Sequence, residues 1–114
     1  MPGRLARVEH LSEELGVEVR IRADGAVVVH LSGEVDASVA QRLEDVTHLG
    51  GSGLDLVVDL RAVSFLDSSG LRALVKAKRA CDDRSRTFVV IAPSGIVRRV
   101  LQIAGLDDYL TIVD

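Results

Sequence analysis

The sequence predicts one α/β domain, built on a mixed, mostly parallel β-sheet that opens with a hairpin and packs against about four helices. Three observations predict this class. The chain has 114 residues, enough for one domain with a substantial core. Hydrophobic residues make up 47% of it and aromatic residues only 3%, which suits Val, Ile and Leu strands beneath helices. Strand-like and helix-like segments alternate along most of its length.

The first segment, residues 1–16, is predicted to be an N-terminal extension that is either helical or disordered. Four apolar residues recur in it at helical spacing: Leu5, Val8, Leu11 and Leu15. Charged residues fill the positions between them, so the pattern favours a short amphipathic helix or a segment that becomes ordered on a partner. Gly16 suits the end of such a helix, and the folded domain is expected over residues 17–114.

A β-hairpin is predicted next. Apolar and charged side chains alternate over residues 17–23, as in a half-buried strand. Asp24 and Gly25 form a tight-turn signal, and residues 26–31 resemble a second strand. Asp36 suits the N-cap of the helix that follows. The inner face of this helix is predicted to carry Val39, Leu43 and Val46.

The middle of the chain predicts a loop, a strand and a helix. Residues 50–53 form a glycine-rich loop, and the mostly apolar residues 54–60 indicate a strand buried on both faces. A connector over residues 61–66 leads to Asp67, after which a helix begins. Its inward-facing residues are predicted to be Leu71, Leu74 and Val75.

The last part of the chain predicts two strands around one helix. Residues 87–92 indicate another buried strand, residues 93–95 begin a helix, and Gly105 suits the position just beyond its end. Residues 110–113 indicate a short final strand. One face of the helix is predicted to carry Ile96, Val97, Val100, Leu101 and Ala104.

Composition narrows the function classes. The formal charge of −3 is small and argues against nucleic acid as a partner. The single cysteine, Cys81, cannot form an internal disulfide, which favours a reducing compartment. No apolar run approaches the ~20 residues that span a bilayer, and the N-terminus lacks the apolar core of a signal peptide. A soluble cytoplasmic protein without membrane partners is predicted.

Catalytic, metal-binding and cofactor-binding patterns are missing from the sequence. No G-x-S-x-G elbow, His-x-x-x-His or cysteine pair occurs. The histidines His10, His30 and His48 have no spacing that brings one to a serine. The glycines of residues 50–53 follow a predicted helix and precede a strand, the reverse of a phosphate loop. We therefore predict no enzyme, cofactor or metal.

The most informative segment is Asp67-Ser68-Ser69-Gly70, at a predicted helix start. Such a start has unpaired N–H groups and partial positive charge, so it tolerates a phosphate. The segment is equally consistent with an ordinary cap, in which Asp67 caps the helix and Gly70 allows close packing. The helix beyond it has a basic surface formed by Arg72, Lys76, Lys78 and Arg79, which favours a protein partner with an acidic surface.

Two motifs resemble those of a bacterial protein family. Residues 31–36, Leu-Ser-Gly-Glu-Val-Asp, are similar to a G-E-[LIV]-D signature that leads from a strand into the first helix. Residues 57–60 and 63–71 are similar to the strand, connector and phosphoacceptor segment of the same family. Because both motifs occur in order and in the matching strand–helix context, the chain resembles a STAS-domain anti-sigma factor antagonist, also called an anti-anti-sigma factor.

This resemblance implies a STAS fold for residues 17–114 and a role as a phosphoprotein in transcription regulation and bacterial signalling. The phosphorylated residue falls on Ser68; its neighbours are Asp67, Ser69 and Gly70, with Asp36 close by. Unphosphorylated members bind an anti-sigma factor that is also a serine kinase, and thereby release its sigma factor. Phosphorylation blocks this binding, and a metal-dependent serine phosphatase reverses it.

Residues around the phosphoacceptor are the candidates for partner contact: Leu66, Leu71, Arg72 and Glu34. The alternative functions are a STAS scaffold or ligand-binding signalling module without a sigma factor, and an enzyme with a Ser68 nucleophile. The oligomeric state, including a homodimer, stays open.

Overall fold

A computed structural model describes residues 9–14, 16–50, 55–93 and 95–114. The elements in these ranges are β1 (Glu9–Glu14), β2 (Val17–Ile21), β3 (Val27–Val35), α1 (Ala37–Gly50), β4 (Leu56–Leu66), α2 (Ser68–Asp83), β5 (Phe88–Ile91), α3 (Ile96–Ile103) and β6 (Thr111–Val113). The mixed α/β class is confirmed, although the described ranges hold three helices instead of about four. None of these three helices is both long and apolar enough to cross a membrane.

The strands of the described ranges form one sheet whose spatial order follows the chain, β1-β2-β3-β4-β5-β6. The first two pairings are antiparallel and the last three are parallel. One helix joins each parallel pair, and because such crossovers are right-handed, successive ones leave the helices on one face of the sheet. The core between sheet and helices contains fully buried leucines from both layers: Leu31, Leu43, Leu60, Leu74 and Leu101.

The predicted hairpin is confirmed as β2 and β3. Gly25 has a φ of 93°, a left-handed conformation that glycine adopts without steric cost. The turn is closed by the Arg22 N–H, which donates to the Ala26 carbonyl over 2.9 Å. Val17 and Val19 are buried, as the alternation of apolar and charged residues predicts.

The helix predicted near the N-terminus is wrong over Glu9–Glu14, which form strand β1 along the free edge of β2. The backbone of β2 needs partners on that edge, and pairing along it outweighs a weak local helical preference. The β1–β2 connection includes Gly16, whose φ is 76° and whose carbonyl accepts from the Ser32 N–H at 2.9 Å. Residues 1–8 and 15 lie outside the described residues, and the division of the chain at residue 17 stays a prediction.

The connector predicted over residues 61–66 is also wrong, because β4 continues through it to Leu66. Strand β3 likewise continues to Val35, so each strand gives the other a hydrogen-bonding partner. Two irregularities in register accommodate the extension, and Gly33 lies at the second of them with a φ of 75°. The burial predicted for the first part of β4 is confirmed for Leu56–Leu60.

Burial on the helices differs in part from the predicted inner faces. On α1 the predicted residues are confirmed, since Val39, Leu43 and Val46 are all buried. On α2 only Leu74 of the three predicted residues is fully buried, whereas Leu71 and Val75 are half-buried. The short helix α3 packs through a narrow stripe and leaves Ile96 and Ile103 exposed.

Two of the five apolar residues predicted to face inward from α3 are buried: Val97 and Leu101. Ile96 is 61% exposed, and Ala104 is exposed as well. Val100 is half-buried and packs on the core, so this eight-residue helix contacts the core through Val97, Val100 and Leu101 and buries no wider face. Gly105 has the left-handed φ of 75° predicted for the residue beyond the helix.

Residues 51–54, in the predicted glycine-rich loop, lie outside the described residues, and Gly50 ends α1.

The sheet face opposite the helices carries a buried carboxylate, that of Asp59, which is 5% exposed. His30 Nδ1 lies 2.8 Å from Asp59 Oδ2, and the Arg61 guanidinium donates through Nε at 3.0 Å and Nη2 at 2.8 Å. Burial raises the pKa of Asp59, but hydrogen bonds from the Arg61 side chain and backbone and from His30, with the Arg61 charge, outweigh it. The pKa falls from 3.8 to about 2.

This lowered pKa predicts an acid-dependent loss of stability. Because the carboxylate is favoured in the folded state, its contribution is fully present well above pH 4 and is lost as the pH falls through about 2. In Asp59→Asn this contribution is absent at every pH. The difference in unfolding free energy between the wild type and the variant should therefore narrow by about 1.5 kcal/mol between pH 5 and pH 2.5. Urea unfolding at constant ionic strength measures it; a constant difference would contradict the prediction.

Candidate functional site

The candidate site lies at the carboxyl ends of β3 and β4. Val35 and Leu66 are register partners, so the residues that follow them, Asp36 and Asp67, begin neighbouring helices at the same edge of the sheet. The Asp67 N–H donates to the Val35 carbonyl over 3.3 Å, which links the two strand ends. The carboxyl edge of a parallel sheet is a common place for a functional site, because several loops and helix starts converge there.

Both aspartates cap the helices they precede, as predicted. Asp67 Oδ1 accepts from the Gly70 N–H at 3.0 Å, with Asp67 in an extended conformation. Asp36 Oδ1 accepts from the N–H groups of Ser38 at 3.0 Å and Val39 at 3.1 Å. These bonds satisfy donors that a helix start otherwise leaves unpaired. The two carboxylates therefore orient α1 and α2 and also make this edge acidic.

Ser68 is the first residue of α2, and its side chain is exposed. Its hydroxyl makes no hydrogen bond to any residue that the structure describes. Ser69, the next residue, is half-buried, so the two hydroxyls differ in access to a large partner. A group added to the Ser68 oxygen would extend into solvent without disrupting an existing hydrogen bond.

Gly70 allows the start of α2 to lie close to the end of β3. A Cβ at this position would be 3.0 Å from Val35 Cγ1 and 3.2 Å from Leu66 Cδ2, closer than side chains ordinarily pack. The tight contact holds the first turn of α2 against the strand ends. Ser68 is thereby presented on a rigid part of the fold.

Three of the four predicted contact candidates are accessible. Glu34 and Arg72 are exposed and Leu71 is half-buried. The prediction for the fourth candidate, Leu66, is wrong, because this side chain is only 1% exposed and belongs to the core. Once β4 is known to continue to Leu66, the reason is plain: neighbouring residues on a strand face opposite sides, and Leu66 takes the inner side.

The residue that the sequence analysis missed is Phe65. It is 43% exposed and is the register partner of Glu34, beside the predicted phosphoacceptor. Its aromatic side chain is one of two phenylalanines in the chain. Simple alternation along a strand would not have found it, because Ser64 and Phe65 are both exposed between the buried Val63 and Leu66 where the register with β3 is irregular.

No side chain that the structure describes is hydrogen-bonded to the Ser68 hydroxyl as an activating general base would be. His30 lies in β3 on the open sheet face and is engaged with Asp59. The side chains of His10 and His48 lie outside the described residues. Within the described ranges no cluster of three or more His, Cys, Asp or Glu side chains could hold a metal ion. The site presents an accessible hydroxyl at a closely packed helix start, next to the Asp67 cap and at the edge of the sheet where Asp36 and Phe65 also lie.

The chain is similar in sequence to a described domain family and to several named proteins. The sequence model of the STAS domain matches residues 17–114. The chain is 34% identical over 86 residues to the anti-sigma-F factor antagonist RsfB of Mycobacterium tuberculosis, covering 74% of this chain and 70% of that protein. It is 28% identical over 100 residues to the anti-sigma-B factor antagonist of Listeria monocytogenes, covering 86% and 88%.

Solved structures show the same fold. An anti-sigma factor antagonist from Mycobacterium paratuberculosis superposes with a TM-score of 0.68 at 28% identity, covering 94% of this chain and 86% of that one. SpoIIAA in its unphosphorylated form superposes with a TM-score of 0.74 at 21% identity, covering 86% and 88%. SpoIIAA of Bacillus in its phosphorylated form superposes with a TM-score of 0.60 at 19% identity, covering 94% of this chain and 91% of that one.

Proposed function

Because this chain belongs to the STAS domain family, we propose that it is an anti-sigma factor antagonist whose binding is switched by phosphorylation of Ser68. In the unphosphorylated form it binds an anti-sigma factor that is also a serine kinase, in the cytoplasm, and so frees the sigma factor. A metal-dependent serine phosphatase restores this form. The protein acts as a binding module and not as an enzyme.

The observation that carries the proposal is the exposed hydroxyl of Ser68 at the start of α2, which is hydrogen-bonded to none of the described residues. In the transfer, the bond between the γ-phosphorus of ATP and its bridging oxygen breaks, and a bond to Ser68 Oγ forms. ADP leaves, and the hydroxyl proton passes to a base of the kinase. The product carries about −1.5 to −2 charges at neutral pH.

The fold tolerates this charge. The phosphate would extend from the first helical residue, where the partial positive charge of a helix start is worth ~0.3–1 kcal/mol to an anion. The Gly70 N–H is already bonded to Asp67, so the cap need not rearrange. Phosphorylation is therefore expected to leave the secondary structure of the protein unchanged.

A bound partner would not tolerate the same charge. The proposed contact surface around Ser68 also includes the register partners Glu34 and Phe65 at the ends of β3 and β4. It further includes Leu71 and Arg72, which follow Ser68 on α2. A partner on this surface would bury a dianion next to the Asp67 carboxylate, and desolvating that charge costs several kcal/mol even where Arg72 offsets part of it. Since every ~1.4 kcal/mol is tenfold in affinity, steric and electrostatic exclusion alone suffices to release the partner.

The test begins with capture of the unmodified protein's binding partners from its own host and identification of the bound kinase. Incubation with that kinase and Mg-ATP should add one phosphate, which peptide mass spectrometry should locate on Ser68. The phosphate should be lost in Ser68→Ala and kept in Ser69→Ala. Phosphate on another residue, or none, would overturn the proposal; stable oligomers without phosphate would favour the scaffold alternative.

A further inference from the structure

A groove of about 360 Å³ runs along α2 beside the chain that follows α3. Its floor is apolar and is formed by Leu71, Val75 and Leu106, all half-buried. One wall is basic and is formed by Arg72, Lys76 and Arg79 of α2. We call this feature the α2–α3 groove. Apolar residues that the core leaves half-covered are available to a partner.

The charge of this groove contrasts with that of the whole chain. The formal net charge of the protein is −3, yet the described residues lining the groove include three cations and no carboxylate. Lys76 Nζ lies 2.9 Å from Glu44 on α1. Arg72 and Arg79 are exposed and make no ion pair or side-chain hydrogen bond with any described residue. The groove therefore favours an acidic occupant.

The spacing of the cations favours a helix as that occupant. Arg72, Lys76 and Arg79 follow one another at i, i+4 and i+7, so they form one stripe along about two turns of α2. A second helix that lies alongside α2 presents its own side chains at the same interval, so acidic residues on it can face these cations. Nucleic acid is less well matched, because the lining has no aromatic ring among the described residues on which a base could stack.

The groove begins beside the proposed switch. Arg72 lies four positions after Ser68 on α2, so the two side chains are neighbours on one helix face. We propose, on the basis of the proposed function, that an amphipathic acidic helix of the anti-sigma kinase docks in the α2–α3 groove. Its apolar face contacts the floor and its Asp or Glu side chains pair with Arg72 and Arg79. A phosphate on Ser68 would compete for Arg72.

The first test is charge reversal, with binding to the purified kinase measured by calorimetry. The double variant Arg72→Glu/Arg79→Glu should weaken binding at least ~tenfold at 0.1 M NaCl, and less at 0.5 M, where charges are screened. The control Arg86→Glu/Arg99→Glu changes the net charge equally at two other exposed positions and should shift affinity less than ~twofold. Unchanged affinity of the first variant, or equal loss in both, would overturn the proposal.

A second measurement identifies the occupant directly and does not depend on the double variant folding well. Photoreactive benzoylphenylalanine in place of Ala104, an exposed lining residue that has no charge to pair, should crosslink to an acidic helical segment of the kinase, whereas the same group in place of Arg86 should not. Crosslinks to another copy of this chain, to a segment without acidic residues, or none at all would overturn the groove proposal. If Ser68 is phosphorylated as proposed while these results fail, only the docking inference is wrong.

Discussion

Replacing Ser68 with aspartate is expected to weaken binding to the kinase at least about 30-fold, which corresponds to about 2 kcal/mol. The new carboxylate lies at the start of α2 beside Asp67, whose own carboxylate is turned to the Gly70 N–H. In the complex this second charge would be desolvated beside the Asp67 carboxylate, and it would compete with the partner for Arg72, so both effects weaken binding. In the free protein it remains in solvent, because Ser68 is exposed.

Folding should be nearly unaffected by Ser68→Asp. An acidic residue in the first turn interacts favourably with the helix dipole, so the melting temperature should change by less than about 2 °C. Ser68→Asn is the matched control, since it has nearly the same size without the charge and should lose much less affinity. Calorimetric titration and thermal unfolding measure the two effects. A large fall in melting temperature would mean that Ser68 is a structural residue, and unchanged affinity would contradict charge exclusion.

The second large effect is expected from adjacent residues at the end of β4. Leu66→Ala should lower the unfolding free energy by about 2–5 kcal/mol, because the side chain is 1% exposed and packs in the core. Phe65→Ala should change it by less than about 1 kcal/mol, because the ring is 43% exposed. Urea unfolding of both variants measures this contrast.

Binding should show the opposite order. Phe65→Ala should weaken the complex with the kinase at least ~tenfold, since exposed aromatic residues at interfaces often carry a large share of the binding energy. Leu66→Ala, measured at a temperature where it is folded, should bind with an affinity much closer to that of the wild type. Loss of binding in Leu66→Ala with normal stability, together with full binding in Phe65→Ala, would restore Leu66 as the contact residue and remove Phe65.

The features that local chemistry sets were predictable. The turn at Asp24 and Gly25 and the caps Asp36 and Asp67 depend on groups only a few residues apart. The inner face of α1 follows from periodicity, because an amphipathic helix on a core buries every third or fourth residue. The position of Ser68 at a helix start came from the same local signals.

The features that were mispredicted depend on distant parts of the chain. Residues Glu9–Glu14 are a strand because β2 has an edge to fill, and residues 61–66 extend β4 because β3 extends beside them. Ile96 is exposed because α3 contacts the sheet through a narrow stripe. Each outcome depends on a neighbouring strand or sheet that is distant in the sequence, and the periodicity of the segment itself carries no information about that neighbour.

The sequence by itself determined the order of strands and helices from residue 17 onward, the hairpin, the two capped helix starts and the serine that follows the second cap. Local hydrogen bonds and side-chain periodicity specify these features. Only the tertiary structure decided that Phe65 faces outward and Leu66 inward, and that Leu106 lies opposite Leu71 across a groove with a basic wall. Strand register and helix packing bring together residues far apart in the chain, so they determine which surfaces remain available to a partner.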